Sequence, residues 1–329
     1  MSSAGKQKSL DDVLQEFSQH RLLMQEELQK IIVGQEEVIE QLFAAIFTRG
    51  HCLLEGVPGL AKTLMVSTVA RILDVDFKRV QFTPDLMPSD ITGTNVLDED
   101  ESGRRNFRFV EGPIFTNVLL ADEINRTPPK TQAALLQAMQ EREVSVGQET
   151  YSLPDPFFTI ATQNPVEQEG TYPLPEAQLD RFMFNVVIDY PSFSEEQKIV
   201  NANTEISTQS INNILNKKHL LEYQKLVLNV PVSENVVDFS VKFVHNTRPA
   251  SKSPEVTQKY IDWGAGPRAS SFLVLASKAK AILQGKATPD IDDVKSVIKS
   301  VLRHRIILNF NAEAEGIKPD HILDELMKD

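Results

Sequence analysis

Cysteine is nearly absent from this chain of 329 residues: Cys52 stands alone, so no internal disulfide can form, which accords with a reducing compartment. Long apolar runs are missing as well. Stretches such as Phe272-Leu-Val-Leu-Ala276 fall far short of the roughly 18 apolar residues of a membrane span, and no membrane insertion is expected. The opening MSSAGKQKSLDD carries no apolar signal core, so a cytoplasmic location is expected. Positive charge is in deficit. With 34 Lys and Arg against 46 Asp and Glu, the formal charge is -12, which repels a phosphate backbone over the surface as a whole and leaves nucleic-acid binding dependent on a local basic patch. The six histidines include no H-E-x-x-H pair, and Cys52 lies in an apolar run, so neither zinc nor thiol chemistry is suggested.

What is present is a large apolar content, 41%, enough for a substantial core and, at this length, for two domains. Ser9-Leu-Asp-Asp12 has the capping-box pattern, and Leu10, Val13, Leu14 and Phe17 follow at helical spacing. A second helix is predicted from about Glu36 to Thr48. Short apolar runs then read as buried strands at His51 to Leu54, Phe77 to Phe82, Val118 to Ala121, Phe157 to Ala161 and Phe182 to Ile188, with helical stretches at Thr63 to Leu73 and Lys130 to Arg142. Such alternation predicts an open parallel sheet covered on both faces. After Tyr190-Pro191 strand signals stop. Ser194-Glu-Glu-Gln197, Ser233, Gly266-Pro267 and Thr288-Pro289 read as helix starts, and Val294, Val297, Ile298, Val301 and Leu302 share one helical face. Residues 247 to 262 read as a polar loop. We therefore expect an α/β domain over 1–191 and an all-helical domain over 192–329.

The chemistry concentrates in three places. The stretch Gly56-Val57-Pro58-Gly59-Leu60-Ala61-Lys62-Thr63-Leu64 lies between a strand and a helix, the setting in which backbone N–H groups and a helix N-terminus cradle phosphates. Lys62 would reach the β- and γ-phosphates, and the Thr63 hydroxyl would hold Mg²⁺. The standard pattern has glycine before the lysine, where this chain has Ala61. Gly56 and Gly59 are expected to supply positive φ or close backbone approach, and Ala61 to sit in right-handed helical geometry. Alone, the stretch is equally readable as a Gly-Pro turn before a helix. About sixty residues on, Asn117-Val-Leu-Leu-Ala-Asp-Glu123 ends an apolar strand in two carboxylates, at the end where open α/β sheets face their ligand. Asp122 would hold Mg²⁺, mainly through water, and Glu123 would orient and activate the attacking water. Acidic pairs also end ordinary strands in solvent, but the pairing with Lys62-Thr63 favours the functional reading. A third strand ends in Thr159-Ile-Ala-Thr-Gln-Asn-Pro165. Its Asn164 would bond the γ-phosphate or the hydrolytic water; by itself it reads as a turn asparagine before proline.

The ordered series VGQE (33 to 36), GVPGLAKT (56 to 63), LLADEINR (119 to 126), ATQNP (161 to 165), YPLPEAQLDRF (172 to 182) and GPRAS (266 to 270) resembles the AAA+ ATPases, and within them closely resembles the MoxR family. It spans nearly the whole chain. The resemblance implies an AAA+ P-loop core, a parallel five-stranded sheet between helices, followed by a smaller all-α lid domain. It implies ATP and Mg²⁺ as ligands and explains Ala61, because family members read G-x-P-G-x-A-K-T. Val33, Gly34 and Gln35 would line the adenine pocket. Arg181 matches the arginine finger that acts on ATP of the neighbouring subunit, and Arg268 the second sensor, linking the lid to the γ-phosphate of its own subunit. Gly266 stands where members usually have serine.

Two insertions, about 94–110 and 143–153, read as β-hairpins, and match insertions of this clade that project toward the ring pore or substrate. Asp98, Asp100, Ser102 and Gly103 imitate the start of an EF-hand loop, but Phe109 stands where its bidentate Glu belongs. A solvated hairpin tip accounts for Arg104, Arg105 and Arg108 more simply than nucleic acid does. Arg303-His304-Arg305 reads as helix-end charge suited to the dipole. The expectation is an oligomeric ATPase: by resemblance a hexamer that remodels or matures client proteins, with a separate von Willebrand factor A domain protein as a further partner. A DNA-acting motor or loader and a nucleotide-gated scaffold with little turnover are the alternatives.

Overall fold

Five of the apolar runs assemble into one parallel sheet in the computed structural model, which describes residues 10–99, 105–165, 170–204 and 210–328. Helices α1 (Leu10–Gln29) and α2 (Glu36–Phe47) precede β1 (Cys52–Glu55), α3 (Lys62–Ile72), β2 (Phe77–Gln81) and α4 (Pro88–Thr92). A hairpin, β3 (Gly93–Glu99) and β4 (Arg105–Glu111), leads to β5 (Val118–Asp122) and α5 (Pro129–Glu141). A second hairpin, β6 (Glu143–Val146) and β7 (Glu149–Ser152), precedes β8 (Phe158–Gln163), α6 (Glu176–Leu179) and β9 (Phe184–Val187). The sheet order is β2-β5-β8-β1-β9, every pair parallel.

Alternation along the strands divides the core in two, because successive side chains point to opposite faces. Cys52, Leu54, Val118, Leu120, Phe158 and Ile160 join one cluster with α1, α2, α3 and the helices after β9; Leu53, Leu119, Ala121 and Ala161 join the other with α5. Phe17 on α1 meets Phe47 edge-on, with ring centroids 5.1 Å apart. Ser9 and the hairpin tip with Asp100, Ser102, Gly103 and Arg104 lie outside the described residues. The two hairpins lean on each other through Phe109 stacked on Tyr151, with centroids 4.0 Å apart.

Beyond β9 come α7 (Phe193–Thr204), α8 (Lys217–Asn229), α9 (Glu234–Asn246), α10 (Glu255–Tyr260), β10 (Ile261–Trp263), α11 (Pro267–Leu283), α12 (Ile291–Leu302), β11 (Ile307–Leu308), α13 (Phe310–Ala314) and α14 (Pro319–Leu326). Residues 247 to 262 are therefore not a plain loop. They contain α10 and β10, which pairs antiparallel with β11 and gives the helical lid one short ribbon. Two helix starts also differ. Before α7 the reciprocal cap is Ser192 with Glu195, whose carboxylate accepts from the Ser192 N–H at 2.8 Å and hydroxyl at 2.6 Å. Before α12 it is Asp290 with Asp293, each side chain accepting the other's N–H, because Asp holds this geometry better than Thr288-Pro289. Ser233 and Gly266-Pro267 stand at helix starts as expected, without a side-chain capping bond. Val294, Val297, Ile298, Val301 and Leu302 are all buried. Among the described residues, no helix is long and apolar enough to cross a membrane.

Candidate functional site

The phosphate loop hangs from a buried strand. At Gly56 an added Cβ would fall 2.9 Å from the Ile188 carbonyl oxygen, so close approach of β9 requires glycine there. Gly59 serves differently, with φ of 87°. Ala61 corrects the expectation of right-handed geometry: its φ of 53° and ψ of 25° are left-handed, a conformation that costs an alanine about 1 kcal/mol or more. The surrounding loop imposes this shape, since α3 starts at Lys62 and Ala61 already accepts the first helical bond, from Met65 N–H at 2.9 Å. Lys62 donates from Nζ to the Gly56 carbonyl at 2.5 Å, lying along the loop it would serve. No acidic residue occupies the first turn of α3, so nothing offsets the positive end of the helix dipole. Thr63 is half-buried in that turn, and Leu64 is exposed.

Asp122 and Glu123 end β5 on the same side of the sheet, and β8 lies between β5 and β1. Asn164, buried, therefore follows β8 between the loop and the carboxylates. Thr162 ties the pair together: its hydroxyl donates to Asp122 Oδ1 at 2.6 Å and accepts from Glu123 N–H at 2.8 Å. From β2, Arg79 donates to Asp122 Oδ2 through Nε at 3.0 Å and Nη2 at 2.6 Å. Gln81 donates to Glu123 Oε2 at 2.7 Å, and Arg126 pairs with the same oxygen at 3.1 Å. Glu123 has a φ of 58°, which turns its side chain out of the strand toward these partners. The Asp122 carboxylate and the Thr63 hydroxyl, both at the strand exits, would offer a sparse oxygen set. That fits Mg²⁺, which keeps waters and takes phosphate oxygens, better than Ca²⁺, which needs six or more oxygens.

Gly34 and Gln35 are both left-handed, at φ of 69° and 60°. Gln35 donates to the Asp189 carbonyl at 3.1 Å, one residue beyond the Ile188 that abuts Gly56. Val33-Gly34-Gln35 and the loop thus flank the same exit of β9, as an adenine and a phosphate subsite would.

The two arginines lie elsewhere. Arg181 precedes β9, and Met183 N–H bonds the His51 carbonyl at the start of β1. Phe184 stands opposite Cys52, so four residues of strand, roughly 13 Å, separate this end from the loop. The Arg181 guanidinium donates to the Leu136 carbonyl at 2.6 Å. Arg268 pairs with Asp180 at 2.9 Å, at the same end. Helix α11 explains this placement. Twelve residues further on, Lys280 pairs with Glu40 of α2 at 2.8 Å, so the helix runs away from Arg268 for about 18 Å toward the Gly34 side. The expected contact of Arg268 with the γ-phosphate of its own subunit does not fit this geometry. The remaining expected residues of the site, Val33 to Gln35, the 56–64 loop, Asp122, Glu123 and Asn164, are gathered at one end of the sheet.

A loop, two strand-end carboxylates and a polar strand tip on a parallel sheet, with a helical lid, define an ATPase of the AAA class. Residues 51–184 match the ATPase family associated with various cellular activities (AAA), and residues 254–326 match the AAA lid domain. The chain is 43% identical to Chaperone MoxR1 of Mycobacterium tuberculosis, over 92% of this chain and 79% of that protein. It is 30% identical to Protein MoxR of Methylorubrum extorquens over 95% of both. A crystal structure of a candidate ATPase from Cytophaga hutchinsonii superposes with a TM-score of 0.87 at 42% identity, covering 95% of this chain and 96% of that one. The chain belongs to the MoxR family of AAA+ ATPases.

Arg79, Gln81 and Thr162 escape the sequence reading. Their signal is faint: Arg79 and Gln81 sit two apart on a strand, sharing one face, and align with Leu120 and Asp122 of the carboxylate strand. Arg303-His304-Arg305 is more than helix-end charge. Arg305 is 7% exposed and bonded to the Asp180 segment, and the half-buried His304 ring lies 3.0 Å from the Phe182 carbonyl.

Proposed function

We propose that this ATPase works as a ring of identical subunits, with the hexamer of the family resemblance, in which each Mg·ATP is held by one subunit and completed by the next. The observation that carries this reading is the separation of Arg181 and Arg268 from Lys62, at opposite ends of one sheet. This placement supports a role on a neighbour's nucleotide, and phosphoryl transfer needs such charge because the transferring group spreads negative charge over its oxygens. We assign the 1–191 segment as the nucleotide-binding domain and 192–329 as the lid.

Within a subunit, Val33, Gly34 and Gln35 receive the adenine, and the N–H groups of the 56–64 loop and Lys62 cradle the phosphates. Thr63 and Asp122 would hold Mg²⁺, which when bound neutralises charge between the β- and γ-phosphates. Glu123 takes a proton from the attacking water, Asn164 positions that water or the γ-phosphate, and Gln81 and Arg126 set where the Glu123 carboxylate points. Motion of the lid then does work on a client polypeptide. The relative named Chaperone MoxR1 supports chaperone-like remodelling or maturation, and the family resemblance supports a separate von Willebrand factor A domain partner and a cytoplasmic setting.

Mixing tests the shared site. Arg181→Ala subunits can hold ATP but not complete a neighbour's site; Lys62→Ala subunits do the reverse. Each alone should be nearly inactive, and a mixture should recover part of the wild-type ATPase. Absence of recovery, with both variants assembled, refutes the shared site.

A further inference from the structure

Arg305 is a buried cation whose bonds converge on one distant stretch of chain. Its Nε donates to Asp180 Oδ1 at 2.8 Å, and Nη2 to the carbonyls of Asp180 at 2.9 Å and Phe182 at 2.6 Å. Nη1 reaches the carbonyls of Met183 at 3.4 Å and of Val301. Burial lowers its pKa to about 10, against the opposing pull of Asp180, so it stays charged near neutral pH. A buried guanidinium is tolerated only when its donors are met, and here they are met mostly by residues 180–183, the segment that carries Arg181.

The other oxygen of Asp180 accepts from Arg268, Oδ2 at 2.9 Å. The Arg305 guanidinium also lies 5.1 Å from the ring centre of Phe272, one turn beyond Arg268 on α11. One carboxylate thus joins a buried arginine from the end of α12 to a half-exposed one from the start of α11, directly beside Arg181. Buried ion pairs add little net stability compared with apolar packing, but a planar fork fixes direction in a way a single ammonium cannot.

We propose that Arg305 and Asp180 form a positioning pair that sets Arg181 and Arg268 at the angle in which a subunit offers them to its neighbour's ATP. Arg305 touches no reacting atom in this scheme and acts through the segment it holds. The proposal rests on the shared-site reading above, and the experiment separates the two.

Arg305→Lys keeps the charge and loses the fork. Its assembled rings should show kcat reduced roughly 30- to 100-fold, as expected for an angstrom-scale misplacement, with KM for ATP within about twofold of wild type because the phosphate loop is at the other end. Since the defect lies in what a subunit gives, Lys62→Ala subunits mixed in equally should raise the activity about tenfold or more. A purely structural role would give no such rescue. Asp180→Asn provides a second variant that retains one side-chain acceptor but loses both ion pairs, with Arg305 and with Arg268; its kcat should fall about fivefold and be rescued in the same mixture. Wild-type kcat in either variant, or failed rescue while Arg181→Ala with Lys62→Ala recovers, overturns the positioning pair alone. Failure of that control mixture as well removes the shared site and this proposal together.

Discussion

The two ends of the five-stranded sheet are built in different ways. At the exits of β1, β5 and β8, the groups of the site follow each strand within a few residues: Gly56 to Thr63 after β1, Asp122 and Glu123 at the end of β5, Asn164 after β8. At the starts of the strands, the counterpart is assembled from three distant segments, 180–183, Arg268 and Arg305. The difference teaches that a site for holding a nucleotide can be encoded locally, whereas the arginine cluster that we propose one subunit offers to the next is encoded by packing between segments far apart in the chain.

The largest expected effect separates the ends most cleanly. Glu123→Gln should retain ATP binding and lose turnover by about 100-fold or more, yet remain a competent donor. Mixed with Arg181→Ala subunits, it should restore hydrolysis in the Arg181→Ala sites. If Glu123→Gln rings hydrolyse normally, the assignment of Glu123 fails; if they cannot rescue, the independence of the two ends fails.

An intermediate effect concerns acid. His51 lies at the strand-start end, accepting from Thr159 N–H at 2.9 Å and within 3.1 Å of the Met139 carbonyl. Burial lowers its pKa from 6.5 to about 4. The unfolded chain accepts a proton near 6.5 while the folded one refuses it, so stability contributed by neutral His51 is full above 6.5. It is lost progressively as pH falls to about 4, by up to about 3 kcal/mol. Denaturant unfolding from pH 7 to 4 should show this slope, and His51→Gln should flatten it. An equal slope in both would assign the acid sensitivity to other groups.

The smallest effect returns to the nucleotide end. Ala61→Gly removes a left-handed alanine but loosens the unfolded chain, so the net gain should be about 0.5–1 kcal/mol in unfolding experiments. A loss would mean that the methyl packs usefully in the loop.

Much of this architecture was readable in the residues because buried parallel strands are continuous apolar runs. All five were found with ends displaced by at most two residues: β9, for example, is Phe184–Val187 within the expected Phe182 to Ile188. The phosphate loop and the acidic pair were legible because their chemistry demands contiguous residues. Besides Arg79, Gln81, Thr162 and two helix caps, three further features were not. Left-handed Ala61 contradicts local preference, and only the loop's surroundings force it. The short β10 and β11 pair across more than forty residues, too few residues to leave a periodic signal. Arg305 satisfies the helix-end pattern perfectly well in sequence, and its partner Asp180 lies 125 residues away.

Helix α11 has a mechanical meaning. Its 17 residues make a rod of about 25 Å, touching α2 through Lys280 and Glu40 at one end and carrying Arg268 at the other. A tilt of roughly 5° about the inner end would move the outer one by about 2 Å, enough to engage or disengage a guanidinium. In the ring proposed above, a single stiff rod would give each subunit a short gear train between its own nucleotide and the next, with amplification fixed by helix length.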